Sequence, residues 1–404
     1  MKIRAITYFF NPEFPLNEAK LRTADDFLRN AKTAYQDAGY EVQTTRLATP
    51  SFTQILDDVD KTPALAFQLA SAMDTMDAEY ASLGPALPEQ PRSYEIIPEA
   101  IAASENIFFS GEMASAQNGI SLPAIRACAD LIVRTAKLDA NGFANLRFTA
   151  LANVPAGGPF FPAAYQRADA PPAFALALEA ADLAVTAFDG QKSVAEGRKE
   201  LTASLEAHGK KLTEISQKLD VDFYGLDFSL APFPDDAISL GKAMEGFGVP
   251  KVGQHGSLAA AAILAETIQR ADFPHTGFNG MMMPVLEDSV LAARAAEGTL
   301  LVKDLLLYSA VCGTGLDTVP IAGDVTSEQV AALLLDVSAL ALRLAKPLTA
   351  RLMPIPGKQA GDKTDFDFAF FANSQVMGVE AAALRHPFAD DENIRIMPRE
   401  ILAV

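Results

Sequence analysis

The residues of this chain that could do chemistry collect in a few segments punctuated by glycine and proline. Residues 311–324, VCGTGLDTVPIAGD, and residues 349–362, TARLMPIPGKQAGD, each leave an apolar run and enter a turn that presents carboxylates. The first carries Asp317 and Asp324; the second carries Asp362 and adds Arg351 and Lys358. Glycine and proline hold backbone shapes that other residues resist, and polar groups on such turns are more often functional than those inside helices. Two further sets lie upstream. Asp227 and Ser229 stand in the apolar stretch 223–230, and Glu287-Asp288 follows another. A charge inside an apolar strand is costly unless paired, so Asp227 calls for Arg351, Lys358 or a metal ion.

These types suggest a pocket for a small anion. Arg351 and Lys358, helped by Ser229, would bind a carboxylate or phosphate through charge-assisted hydrogen bonds. Asp227, Glu287 and Asp317 would serve as acid and base. His255, in the glycine-flanked turn 253–257 just before an expected helix, is a further acid–base candidate beside free N–H groups. Oxygen-rich loop sites suit Mg²⁺, Mn²⁺ or Ca²⁺, with Asp227, Asp288, Asp324 and Asp362 as ligands. Plainer readings stand beside each. Glu287 and Asp288 could open the helix that follows, where its dipole favours them; Asp227 could be paired structurally; His255 could be an ordinary loop histidine. Cys312 has no local histidine signature and reads as a packing thiol. No GxxxxGK[ST], no GxGxxG after a strand, no GxSxG and no HExxH occurs.

The elements that must position these groups alternate. Residues 3–10, rich in β-branched and aromatic side chains, predict a strand; 16–38 has helical apolar spacing; 40–47 alternates again. Further strands are expected at 107–110, 146–153, 223–230, 281–285, 349–355 and 366–372. Helices are expected over 51–83, 122–137, 173–188, 194–219, 257–270, 287–297, 300–311 and 327–345. Strands separated by helices imply a largely parallel sheet or barrel, with polar groups gathered in loops at one end of the strands. No repeat interrupts the 404 residues, so one α/β domain is expected, with a weak boundary near 84–92.

Composition narrows the class. Half of the residues are hydrophobic and 21% are charged, enough for a substantial core. A formal charge of −18 argues against a nucleic-acid or anionic-membrane surface. Two distant cysteines make neither a disulfide framework nor a zinc cluster. The start of the chain lacks a signal-peptide pattern, and the apolar run 258–268 is too short to span a bilayer. A soluble, cytoplasmic protein is the expectation.

Residues 223–232, the stretch Met283-Pro-Val-Leu-Glu-Asp288 and the two segments above resemble the domain of unknown function 711 family, also called uncharacterised protein family 0210. Weaker likeness runs from residues 3–7 through 97–105. The resemblance implies no established reaction. It implies a fold similar to the α/β barrel of the glycyl radical enzymes, and a homodimer. A radical mechanism does not come with it: the chain has no radical-glycine loop, and fold does not transfer chemistry. Where the family carries an acidic Glu-Asp-Asn-Pro-Phe turn, this chain has Ala156-Gly-Gly-Pro-Phe160. The functional expectation is a lyase, isomerase or hydrolase acting on a small anionic metabolite with divalent-cation help. The alternative is a non-catalytic sensor or scaffold whose barrel site has decayed.

Overall fold

The computed structural model describes residues 1–189 and 193–399. The main strands are β1 Lys2–Phe9, β2 Thr45–Ser51, β3 Tyr80–Ala86, β4 Ile107–Ser115, β5 Gly119–Ser121, β6 Phe148–Ala152, β7 Ala173–Glu179, β8 Asp222–Ala231, β9 Gly315–Ala322 and β10 Leu348–Ile355, with a short β11 at Asn393–Ile394. They form one mixed sheet in the order β8-β7-β1-β2-β3-β4-β6-β10-β9, with β5 and β11 attached beside β4. β1, β2, β3, β4 and β6 run parallel. The pairs β7–β8 and β9–β10 flank them in the opposite direction.

Strand pairing does not close this sheet into a barrel. Its edges β8 and β9 instead share an irregular segment, 274–285. Leu226 N–H donates to Pro274 O at 2.7 Å and Met282 N–H to Ser229 O at 2.9 Å, while Val285 N–H donates to Asp317 O at 3.1 Å. The expected strand at 281–285 is thus a connecting segment with an isolated bridge at Pro284.

Side-chain alternation sorts the two faces. On β1, Ile6 and Tyr8 pack outward with Leu21, Phe27 and Leu28 of the helix Glu18–Asp37. Ala5 and Phe9 face the interior, where they meet Phe160 and Phe161. Those two rings belong to a loop threaded into the concave side: Thr7 Oγ1 donates to Pro159 O at 2.9 Å, and Gln166 N–H donates to Thr49 O at 3.0 Å. The Gly157-Gly158 turn therefore lets a loop fill the sheet's interior. Gly157 takes φ +95°, and a Cβ on Gly158 would lie 3.1 Å from Gly277 Cα.

Several expected elements differ. Residues 173–188 are not one helix: β7 is followed by a helix at Ala181–Ala187. A short run such as AFALALE, buried throughout, gives no periodicity to tell strand from helix. Residues 51–83 hold helices Phe52–Ile55 and Thr62–Met73 and then enter β3. Residues 366–372 form no strand. The stretch 84–92 does not part the sheet, since β3 pairs directly with β4.

Candidate functional site

The sheet's interior brings together a chain of alternating charges. Arg4, near the start of β1, donates to Glu179 of β7 at 3.1 Å and to Glu287 at 2.9 Å. Glu287 accepts on its other oxygen from Arg351 of β10 at 2.8 Å, and Arg351 Nε donates to Asp317 of β9 at 2.6 Å. Gln43 adds a 2.7 Å hydrogen bond to Glu179. The run Glu179–Arg4–Glu287–Arg351–Asp317 thus crosses the seam where the two sheet edges face each other.

Local backbone irregularity places Asp317. Between Ala350 and Leu352 the β9 partners jump from Leu316 to Val319, so β9 carries one extra residue opposite Arg351. Such a bulge re-aims side chains. Thr318 there has φ +40°, and Leu230 at the end of β8 has φ +45°. For a β-branched residue this is a strained conformation, of the kind that clusters at functional sites.

Burial alone would weaken the charge of Arg351, but Asp317 and Glu287 outweigh it and hold the guanidinium above its usual pKa. Burial pushes the Asp317 carboxyl up; Arg351 pulls it back and Glu287 adds to the rise. With all five groups ionised, three acids against two guanidinia leave one negative charge on the run.

Beside this run lies a cavity of about 200 Å³. Arg4, Glu287 and Arg351 form part of its wall. Arg46, Tyr80 and Phe108, near the starts of β2, β3 and β4, form another part, and Phe160 and Phe161 line it from the interior loop. The cavity lies at the N-terminal ends of the central strands and at the C-terminal end of β8, where Ala231 and Pro232 line it. One end of a sheet with opposed strands collects both kinds of terminus, which a purely parallel reading does not anticipate. Phe368 and Phe370 cover one side: Phe370 lies 5.2 Å from the Arg4 guanidinium, and Phe368 packs on Phe143 at 5.1 Å. Their loop is pinned by Asn373, which both accepts from and donates to the Phe366 backbone, at 2.8 and 2.9 Å.

Arg46 differs from the other two arginines. It makes no ion pair among the described residues; its Nε donates to Thr44 Oγ1 at 2.9 Å. Its guanidinium lies 5.0 Å from the Phe161 ring centre and 5.8 Å from that of Tyr80. Burial, with Arg4 nearby, pulls its pKa below the ordinary arginine range. An anion placed against it would reverse that pull.

Of the residues anticipated from sequence, Glu287, Asp317 and Arg351 converge here. Asp227 does not meet Arg351 or Lys358. Its carboxylate is satisfied by Phe278 N–H at 2.7 Å, Asn279 N–H at 3.0 Å and the Ser229 hydroxyl. Gly277 permits this approach, because a Cβ there would sit 2.2 Å from Asp227 Oδ2. Ser229 is consumed in the same contact. Burial, partly offset by these hydrogen bonds, pushes Asp227 up to about 6.

Asp288 caps two helices. It accepts from Val290 and Leu291 N–H, both at 3.0 Å, at the start of Ser289–Ala296. It also accepts from Leu240 N–H at 2.6 Å and from Ser239 Oγ at 2.6 Å at the start of Leu240–Gly246. The capping alternative therefore holds for Asp288, while its neighbour Glu287 belongs to the charged run. Lys358 pairs with Asp365 at 2.8 Å, outside the cavity. Asp324, Asp362 and His255 are exposed. Among the described residues no three His, Cys, Asp or Glu side chains are grouped to hold a metal ion, so Asp227, Asp288, Asp324 and Asp362 do not form the anticipated cation site. Cys312 is buried, as expected of a packing thiol.

Sequence reasoning missed Arg4, Arg46 and Glu179. A charge inside an apolar strand, the signal at Asp227, is also present at Ile3-Arg4-Ala5-Ile6 and, more weakly, at Thr45-Arg46-Leu47. Phe368 and Phe370 had a weaker signal in the alternation of Asp365-Phe-Asp-Phe-Ala-Phe-Phe371.

A solved glycoside hydrolase family 6 enzyme from Coprinopsis cinerea is 15% identical over 57% of this chain and 62% of its own, with a TM-score of 0.24; that likeness is too low to support an argument. Among curated relatives, a UPF0210 protein of Pyrobaculum aerophilum is 34% identical over 283 residues, 67% of this chain and 62% of the relative. One from Pyrobaculum islandicum is 30% identical over 81% of this chain and 76% of the relative. One from Methanopyrus kandleri is 30% identical over 67% of this chain and 62% of the relative. The match to the Pyrobaculum aerophilum and Methanopyrus kandleri relatives thus spans somewhat less than two thirds of their length. The family profile described as Uncharacterised ACR (DUF711) matches residues 1–373, and the chain belongs to that family.

Proposed function

We propose that the cavity binds a small monoanion with a flat apolar body, such as a planar carboxylic acid. On this reading Arg46 anchors the anion, and Glu287 in the cavity wall, with Asp317 held behind that wall by Arg351, supplies the acid–base groups for a lyase, isomerase or hydrolase reaction. Arg46 is the observation that carries the reading. A guanidinium withdrawn from water favours an anion, and this one, half-buried, lies on a cavity wall with no ion-pair partner among the described residues. The surrounding rings offer flat surfaces for an apolar body, and apolar walls with a few placed polar groups are usual in ligand sites. A bidentate guanidinium–carboxylate contact would fix orientation.

A binding role without turnover has its own support. Glu287 has an arginine donating to each of its oxygens, so both oxygens are already engaged by cations of the protein itself.

Thermal unfolding with benzoate, crotonate, acetate and phosphate, followed by calorimetric titration, tests the reading. Planar carboxylates should stabilise the protein and Arg46→Gln should weaken their binding about tenfold or more, on the order of the loss of one charge-assisted contact. Stabilisation that is the same in Arg46→Gln, or none by any carboxylate, would overturn it. Conversion of a bound acid, followed by NMR and lost in Asp317→Asn, separates the enzyme from the sensor.

A further inference from the structure

Phe160, Phe161 and Met282 line not only the main cavity but also a smaller chamber of about 20 Å³. Thr149, Thr314, Thr349 and Asp317 supply its polar lining. A chamber holds one water when it offers roughly 10–15 Å³ to a water-sized probe and 2–4 polar partners. Both conditions are met here.

The hydroxyls decide how such a water would be oriented. Thr314 Oγ1 donates its proton to Met281 O at 2.6 Å, and Thr349 Oγ1 donates to Thr314 O at 2.8 Å. Each then has only lone pairs to offer. Thr149 is the exception: it is 1% exposed, and its hydroxyl is buried with no hydrogen-bond partner among the described residues. Buried hydroxyls without a partner are rare and call for an explanation, often a water or an ion. Asp317 has Arg351 Nε 2.6 Å from one oxygen, and that guanidinium disfavours a cation in the chamber. A neutral molecule that both accepts and donates fits the set.

We propose that the chamber is a binding site for a single water, which accepts from Thr149 and donates to Asp317. Thr149 is then a positioning residue for Asp317. The proposal deepens the reading of the main cavity as a ligand site, because the water would place a proton-carrying partner on the carboxyl proposed for acid–base work.

A crystal structure at high resolution and a ¹³C-carboxyl NMR titration test it. In the unmodified protein, one water should lie within hydrogen-bond distance of both Thr149 Oγ1 and Asp317. Thr149→Val should remove it and raise the Asp317 midpoint by about half a unit to one unit, since a donor to the charged form is lost. Thr149→Ser should keep the water and the midpoint, which separates lost hydroxyl chemistry from altered packing. A dry chamber in the unmodified protein, or a midpoint unmoved in Thr149→Val, would overturn the proposal. Benzoate binding is measured alongside. If benzoate fails to bind while the water and the midpoint shift are observed, the ligand reading falls and the water site stands.

Discussion

Glu287 and Asp288 are neighbours in the chain, both buried, and they are satisfied in different ways. Asp288 accepts four backbone N–H groups and a serine hydroxyl, at the starts of two helices. Asp227 follows the same pattern, with two backbone N–H groups and Ser229. Among the described residues Glu287 accepts from the guanidinia of Arg4 and Arg351 and from no backbone N–H, and Asp317 has Arg351 as its side-chain partner. Backbone donors cannot leave, so the first kind of acid joins segments of chain. Guanidinium donors line a cavity beside Arg46, a cation without an ion pair among the described residues. The second kind can exchange partners with a ligand. A buried carboxylate is therefore weak evidence for a site until its donors are known.

The contrast can be broken at several positions. Arg351→Ala should have the largest effect, about 3–5 kcal/mol, because it leaves Asp317 and half of Glu287 buried without a countercharge; urea unfolding measures it. Asp288→Ala should cost about 2 kcal/mol, in the range of a lost helix cap with buried N–H groups left unpaired, and should leave carboxylate binding intact. An equal loss of binding would show that the two kinds of acid are not separable.

Asp227→Asn should cost about 1–2 kcal/mol at neutral pH, since an amide offers one acceptor oxygen where the carboxylate offers two. It should also change the pH profile. With its folded pKa raised from 3.8 to about 6, Asp227 stays protonated in the folded chain over a range where the unfolded chain has lost that proton. Its contribution to stability therefore falls as pH rises from about 4 to about 6. Stability measured across that window should be flatter in Asp227→Asn, and an unchanged slope would contradict the assignment.

Arg46→Gln should shift unfolding by less than about 1 kcal/mol in either direction, since no ion pair is broken. A large destabilisation would make Arg46 a structural cation and remove the main support for a ligand. Lys358→Ala should be smallest, within about 0.5 kcal/mol, because its pair with Asp365 is solvent-accessible.

Much of the fold was legible in the chain. The strands around residues 3–10, 107–110, 146–153, 223–230 and 349–355 and the helix Ser257–Arg270 follow from apolar periodicity and turn residues. What escaped were short runs buried on both faces, such as β7, where the one polar residue, Glu179, stands at the end of the strand and reports no period. The aromatic run near residue 370 shows the opposite error: its β propensity is high, but it covers a cavity as a loop.

The sequence alone determined an acidic, core-forming α/β chain, its membership of a family, and the segments that supply Glu287, Asp317 and Arg351. These depend on local properties: periodicity, turn chemistry, and the cost of a charge in an apolar strand. Only the tertiary structure decided which buried acids meet backbone N–H groups and which meet guanidinia. That choice depends on strand order and register: on the opposed direction of β7 and β10 against the central strands, and on the bulge that sets Asp317 against Arg351. These place Arg4, Glu287 and Arg351 in one wall although 283 residues separate Arg4 from Glu287 and 64 separate Glu287 from Arg351, and no local property encodes that meeting.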